Sequence, residues 1–139
     1  MKSIFPLLGV ALAFSMSAPS QAKEPFSAMD VFKIAYAANS VVSPNGQLIA
    51  FDRFSMDVMS DTRLSDVWVI GADGNNLQQI SEGFDAAGPA TFTASGQAIA
   101  FAAIHGEASH IYLQNLDTGE RSELGQGLSE PANLSFSPD

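Results

Sequence analysis

The chain has 139 residues and sets 15 Asp and Glu against 6 Lys and Arg, a formal net charge of -9 at pH 7. Its 46% hydrophobic and 15% charged content excludes a disordered acidic tail, and the absence of a basic cluster excludes nucleic acid as a partner. There is no cysteine, which excludes disulfides, thiolate zinc sites and a cysteine nucleophile, and the length allows one small domain.

In chain order, residues 1–22 have the layout of a secretory signal peptide. Met1-Lys2 gives a positive start, and the run from Ile4 to Met16 is apolar except for Ser15. Small residues follow, Ser17-Ala18-Pro19-Ser20-Gln21-Ala22, with cleavage expected after Ala22. The run is shorter than the roughly 20 residues a bilayer span needs. The protein is therefore expected to be exported, periplasmic or secreted, with no membrane contact after cleavage. Residues 23–39 read as a linker and a short helix. Ser27 with Asp30 approximates a capping box, and Met29, Phe32 and Tyr36 recur at helical spacing. The spacing predicts a helix that docks this stripe on the domain behind it.

From residue 40 the chain repeats itself. Val42-Ser43-Pro44-Asn45-Gly46-Gln47-Leu48-Ile49-Ala50-Phe51 aligns with Phe92-Thr93-Ala94-Ser95-Gly96-Gln97-Ala98-Ile99-Ala100-Phe101, an offset of 50 (Val42 to Phe92). Asp66-Val67-Trp68-Val69-Ile70 aligns with His110-Ile111-Tyr112-Leu113-Gln114, an offset of 44 (Asp66 to His110). The first unit holds the extra residues between Phe51 and Asp66, which are expected to form a loop. A third copy starts at Phe136-Ser137-Pro138-Asp139.

Each unit reads as four short strands, near 40–43, 47–53, 66–70 and 77–81, then near 90–93, 97–103, 110–115 and 121–124. Pro44-Asn45-Gly46, Asp73-Gly74 and Thr118-Gly119 supply the turns. Leu48-Ile49-Ala50-Phe51 and Ala98-Ile99-Ala100-Phe101 are apolar on both faces. A sheet with one solvated face would alternate apolar and polar residues. Both faces must then be covered, as happens when small sheets stack. Four-stranded antiparallel units at this period predict β-propeller blades. A β-sandwich would explain the strands but not the aligned repeats. The expected fold is all-β, a partial propeller after a leader and a short helix. Blade one is expected at about 40–81, blade two at about 90–125, and the first strand of a third blade at 131–139.

The Ser-Pro-Asn-Gly-x-x-Ile-Ala-Phe motif at 43–51, with Asp66-Val67-Trp68-Val69 and Asp73-Gly74 behind it, resembles blades of two groups. One is the TolB-type periplasmic propellers. The other is the N-terminal propeller of the prolyl oligopeptidase family of serine peptidases, in its dipeptidyl-peptidase and acylaminoacyl-peptidase branch. The segment from Ala28-Met29-Asp30-Val31-Phe32-Lys33-Ile34 to the first blade, and 53–61 after its second strand, favour the second. Asn45 departs from the family's Asp, and Thr93-Ala94-Ser95-Gly96 lacks both Pro and Asp. The resemblance implies a parent that acts on peptides through a C-terminal α/β-hydrolase domain with a Ser-Asp-His triad, the propeller gating substrate access and docking on that domain. It implies no cofactor.

The chain itself offers no catalytic residue. It has no Gly-x-Ser-x-Gly nucleophile elbow, and Gly125-Gln126-Gly127-Leu128-Ser129 misses the frame. His105 and His110 lack the further ligands of a metal site, and Asp52, Asp57, Asp61 and Asp66 lack the spacing of an EF-hand loop. The acid-rich loop yields one candidate surface, Arg53, Asp57, Asp61 and Arg63. It is read as an interface toward a catalytic domain, as a holder of a peptide terminus, or as a solvated insertion. Two blades alone leave an apolar face in water, so the expected role is that of a piece of a larger serine-type peptidase. The alternatives are a piece of a TolB-like partner-binding propeller and a small binder that oligomerises its blades.

Overall fold

The structure, a computed structural model, describes residues 25–137. The expected leader and the last two residues lie outside the described residues. A 3-10 helix, Ala28–Lys33, leads into eight strands. These are β1 (Tyr36–Val42), β2 (Leu48–Asp57), β3 (Thr62–Gly71), β4 (Gln78–Gln79), β5 (Ala86–Phe92), β6 (Ala98–His105), β7 (Ala108–Asn115) and β8 (Arg121–Leu128). They form two four-stranded antiparallel sheets, β1-β2-β3-β4 and β5-β6-β7-β8, each in chain order.

The turns explain why the two units copy each other. In the first, the Gly46 N–H donates to the Ser43 carbonyl (2.8 Å), and the Leu48 N–H donates to Ser43 Oγ (2.9 Å). In the second, Gly96 donates to the Thr93 carbonyl (2.9 Å) and Ala98 to Thr93 Oγ1 (3.3 Å). Both glycines have φ +72°, where a Cβ is strained. A hydroxyl at the first position and glycine at the fourth therefore hold the turn, and losing Pro44's equivalent changes nothing essential. The β1–β2 and β5–β6 pairs each carry a bulge, between Ala38 and Val41 and between Ala87 and Ala90, one residue apart in the repeat alignment.

The sheets stack face to face. Ala50, Val67 and Val69 of the first sheet share one buried cluster with Ala87, Ala90, Phe92, Ile99, Phe101 and Ala103 of the second. Phe101, Ile99 and Val67 are 0% exposed. Arg121 ties the stack. It donates through Nη2 to the Ile80 carbonyl (2.7 Å) and through Nε to Gln114 Oε1 (3.0 Å). Its guanidinium also lies 4.8 Å from the Phe84 ring centre and 5.6 Å from that of Phe101. Arg121→Ala is expected to lower stability by about 2–3 kcal/mol, because it strands the carbonyl of the buried Ile80 and uncovers two rings. The midpoint of urea unfolding checks this.

Several boundaries differ from the sequence reading. The segment after Phe51 is not a loop: β2 and β3 stay paired from Leu48↔Gly71 to Asp57↔Thr62, so the extra residues lengthen a hairpin. The expected strand at 77–81 pairs only at 78–79. Beyond it Ser81 Oγ accepts the Val67 N–H (2.9 Å), a side chain standing in for a ladder bond. β8 runs to Leu128 rather than 124. Residues 131–137 take no regular element. The helix is a single short element with no buried residue, and of its expected stripe Met29 and Tyr36 are exposed. Its start is held as expected: the Asp30 carboxylate accepts the Ser27 N–H (2.7 Å) and Lys33 Nζ (2.7 Å), contacts that hold its pKa below the usual value.

Candidate functional site

The four residues singled out in the sequence do not converge. Arg53 pairs with Asp66 across β2–β3, and its guanidinium lies 5.7 Å from the Trp68 ring centre. Arg63 sits 4.8 Å from the Phe54 ring centre, and Phe54 stacks on Tyr36 at 5.1 Å. Residues 53 and 54 are neighbours on a strand, so the two arginines serve opposite faces of the hairpin. Asp57 is spent on the hairpin turn: its carboxylate accepts the Met59 N–H (3.1 Å) and the Ser60 hydroxyl (2.5 Å). The Ser60 hydroxyl first, then the Met59 amide, hold its pKa down. Asp61 occupies the turn itself with φ +48°. Met59, at the tip, is almost fully exposed. Among the described residues no three His, Asp or Glu side chains gather as a metal ion would require.

A different acid is the unusual one. Asp52 follows Leu48-Ile49-Ala50-Phe51 on β2 and is 2% exposed. Its Oδ2 accepts from Asn39 Nδ2 at 2.7 Å, and its Oδ1 is buried without a partner. It faces the second sheet at Gly88, where an added Cβ would lie 2.7 Å from the carboxylate. Burial pushes the Asp52 pKa up, and the Asn39 bond only partly offsets this. The folded state thus holds this proton at a pH where the unfolded chain has released it. Stability from Asp52 is full below the ordinary carboxylate range and is lost as pH rises through the raised folded value. Asp52→Asn keeps an acceptor for Asn39 and removes the buried charge. It is expected to melt above the parent at pH 7, the gap closing as pH falls to about 4. Thermal unfolding at several pH values checks both points.

Beside this acid lies a groove of about 470 Å³, lined by Asn39, Ser40 and Val41 from β1, Pro89 and Ala90 from β5, and Ala132, Asn133 and Leu134. Asn39, Pro89 and Asn133 are equivalent in the repeat, at the same offsets of 50 (39 to 89) and 44 (89 to 133). Asn39 and Asn133 both have left-handed backbone, φ +50° and +55°. The groove contains amide, hydroxyl and apolar groups but no charge. The sequence carried this signal in the offsets, although the three positions differ too much in residue type to stand out.

Structural comparison decides what the stack is. It is similar to Pyrococcus horikoshii acylaminoacyl peptidase (TM-score 0.58, 14% identity, covering 69% of this chain and 14% of that one). It is similar to an acylaminoacyl peptidase in complex with Z-Gly-Gly-Phe-chloromethyl ketone (TM-score 0.58, 15% identity, 68% and 14%). It is also similar to the β-propeller domain of the Trilobed protease from Pyrococcus furiosus, described as having an open velcro topology (TM-score 0.56, 17% identity, 68% and 28%). The fold is a partial β-propeller. At these identities the likeness is one of fold, and the chain spans about a seventh of the two peptidases' length. No protein-family profile and no curated protein matches the sequence.

The two sheets are then two propeller blades. Blade one spans β1–β4 and blade two β5–β8, with β1 and β5 as their first strands. Propeller blades stand around a central channel. The neutral groove lies where β1, β5 and residues 132–134 meet. Asp52 sits behind that wall, between the blades, and fixes the position of Asn39 upon it.

Proposed function

We propose that this chain is propeller from an exported serine-type peptidase that acts on peptides, and that its role is substrate gating and docking on a C-terminal α/β-hydrolase domain. The carrying observation is the likeness of its two stacked blades to acylaminoacyl peptidase structures. The groove agrees with the reading. Its uncharged wall of asparagine, serine and proline offers hydrogen bonds to a passing peptide main chain without selecting a side-chain charge. The lengthened β2–β3 hairpin, with Met59 exposed at its tip, gives blade one a projection suited to contact another domain. Acyl transfer would be carried out by the Ser, His and Asp of that domain.

The test is the reading frame that encodes this chain, followed past codon 139. A hydrolase domain containing Gly-x-Ser-x-Gly, with Asp and then His behind it, is the expected result. A stop after a closed propeller would overturn the peptidase reading in favour of a TolB-like partner-binding propeller. The chain alone is expected to turn over no aminoacyl or dipeptidyl chromogenic substrate.

A further inference from the structure

The β1–β2 turn holds a reactive pair that its copy in blade two lacks. Asn45 is the one asparagine of the chain followed by glycine. A glycine has no Cβ to hinder its backbone, so its amide nitrogen can reach the carboxamide carbon of the residue before it. The other asparagines precede Ser40, Asn76, Leu77, Leu116 and Leu134. Blade two has Ser95 before Gly96, and a hydroxyl offers no such carbon. Asp73-Gly74, in the β3–β4 turn, is the related acidic pair. The Asn75 side chain first, then its backbone N–H, hold the Asp73 pKa below the usual value, and an ionised carboxylate resists attack by an amide nitrogen.

In the closed turn both reacting groups are occupied. The Gly46 N–H donates to the Ser43 carbonyl (2.8 Å). Asn45 Oδ1 accepts the Ser43 hydroxyl (2.8 Å) and the Gln47 N–H (3.0 Å). Ser43, which anchors both, is 3% exposed, whereas Asn45 and Gly46 are exposed. On one side Pro44 lies against the matching turn of blade two, where a Cβ on Gly96 would come within 3.4 Å of Pro44 Cδ. The pair is thus in contact with water, and hydrogen bonds to one buried serine hold the Gly46 nitrogen and the Asn45 carboxamide to other partners. Exposed turns of this kind open locally without global unfolding.

We propose that Asn45-Gly46 is a self-modification site gated by its own turn, the Gly46 nitrogen displacing the Asn45 side-chain nitrogen as ammonia when the turn opens. The Gly46 nitrogen bonds to Asn45 Cγ and gives its proton to water. The Cγ–Nδ2 bond breaks, ammonia leaves, and a cyclic imide remains. Water then opens the ring. Attack at Cγ gives aspartate on an unchanged main chain; attack at the main-chain carbonyl gives isoaspartate, whose main chain is one carbon longer. One water enters, one ammonia leaves, and nothing is oxidised or reduced. Aspartate keeps an acceptor for Ser43 and Gln47, strengthened by its charge. Isoaspartate carries Gly46 away from the Ser43 carbonyl and loses the turn. The inference rests on this turn and not on the peptidase reading.

Peptide mapping of the full chain tests it, after incubation in mildly alkaline buffer with and without urea above the unfolding midpoint. Electron-transfer fragmentation separates aspartate from isoaspartate. Asn45 is expected to be the first asparagine lost in both, at least about tenfold more slowly in buffer than in urea, because only the opened turn reacts. Ser43→Ala removes the hydroxyl's bonds to Asn45 and Leu48. It is expected to raise the rate in buffer about three- to tenfold and to leave the rate in urea unchanged. Ser43→Thr, which places blade two's residue at this position, is expected to react at the parent rate. Hydrogen exchange of the Gly46 amide in the parent needs no variant, and is expected to be slowed by the same factor as the deamidation. Equal rates in buffer and urea, another asparagine reacting first in buffer, a folded Ser43→Ala protein at the parent rate, or a Gly46 amide that exchanges freely overturns the proposal.

Discussion

Phe101→Ala is expected to cost about 3–5 kcal/mol, the largest loss available to a single side chain in this fold. Phe101 is 0% exposed and sits where everything that joins the blades comes together. Its ring centre lies 5.9 Å from both Phe84 and Tyr112, and the Arg121 guanidinium covers it at 5.6 Å. Truncation removes the buried apolar surface and leaves a cavity that rigid strands on both sides cannot close. It also takes away part of the surface on which Arg121 rests, so the change couples to the Arg121 contacts. Differential scanning calorimetry is expected to show a fall in Tm of more than about 10 °C. Phe51→Ala, at the equivalent position in the first repeat, is expected to cost less than half as much, because that side chain is only partly removed from water.

Gly88→Ala carries the second large expected effect. Gly88 has φ +123°, a conformation that costs a residue with a Cβ roughly 1–3 kcal/mol. The new methyl would also meet the Asp52 carboxylate at 2.7 Å. That carboxylate is buried and tied to Asn39, so it cannot swing aside as an exposed chain would, and the overlap adds about 1–3 kcal/mol. The two causes separate in a double variant. Asp52→Ala removes the clash but not the backbone strain, so Gly88→Ala is expected to cost less in that background than in the parent. Urea unfolding of the four proteins in the cycle measures the difference. Equal costs in both backgrounds would mean that the acid and the glycine do not touch.

The repeat made most of this fold legible. Apolar runs on two faces, fixed turn residues and constant offsets determine which strands exist and that their sheets stack. The rest has local causes. The β2–β3 hairpin extension reads as a loop because it is an insertion between the repeats, yet Phe54-Ser55-Met56-Asp57 alternates apolar and polar with strand period. β8 reads as ending at 124 because Glu123-Leu124-Gly125-Gln126-Gly127 has no apolar pattern; an outer strand is held by backbone pairing, which any side chain permits. β4 is shorter than its sequence pattern because Ser81 takes over a ladder bond through its hydroxyl.

The candidate site was less legible. The acidic residues closest in sequence, Asp57 and Asp61, serve a turn, while the acid with a long-range role, Asp52, lies among apolar neighbours. Its partner Gly88 is distant in sequence, and nothing local marks the pair. The signal lay in the repeat: Asp52 stands where its copy has Ala102, and a difference of that kind between near-identical strands points to a contact made only once.

The two repeats share one core. Nuclear Overhauser contacts between the Ala50, Val67 and Val69 methyls and the side chains of Ile99 and Phe101 measure that directly. The predicted result is a dense set of such contacts, lost together when the protein unfolds. Two units that show contacts within each sheet but none between them would contradict it.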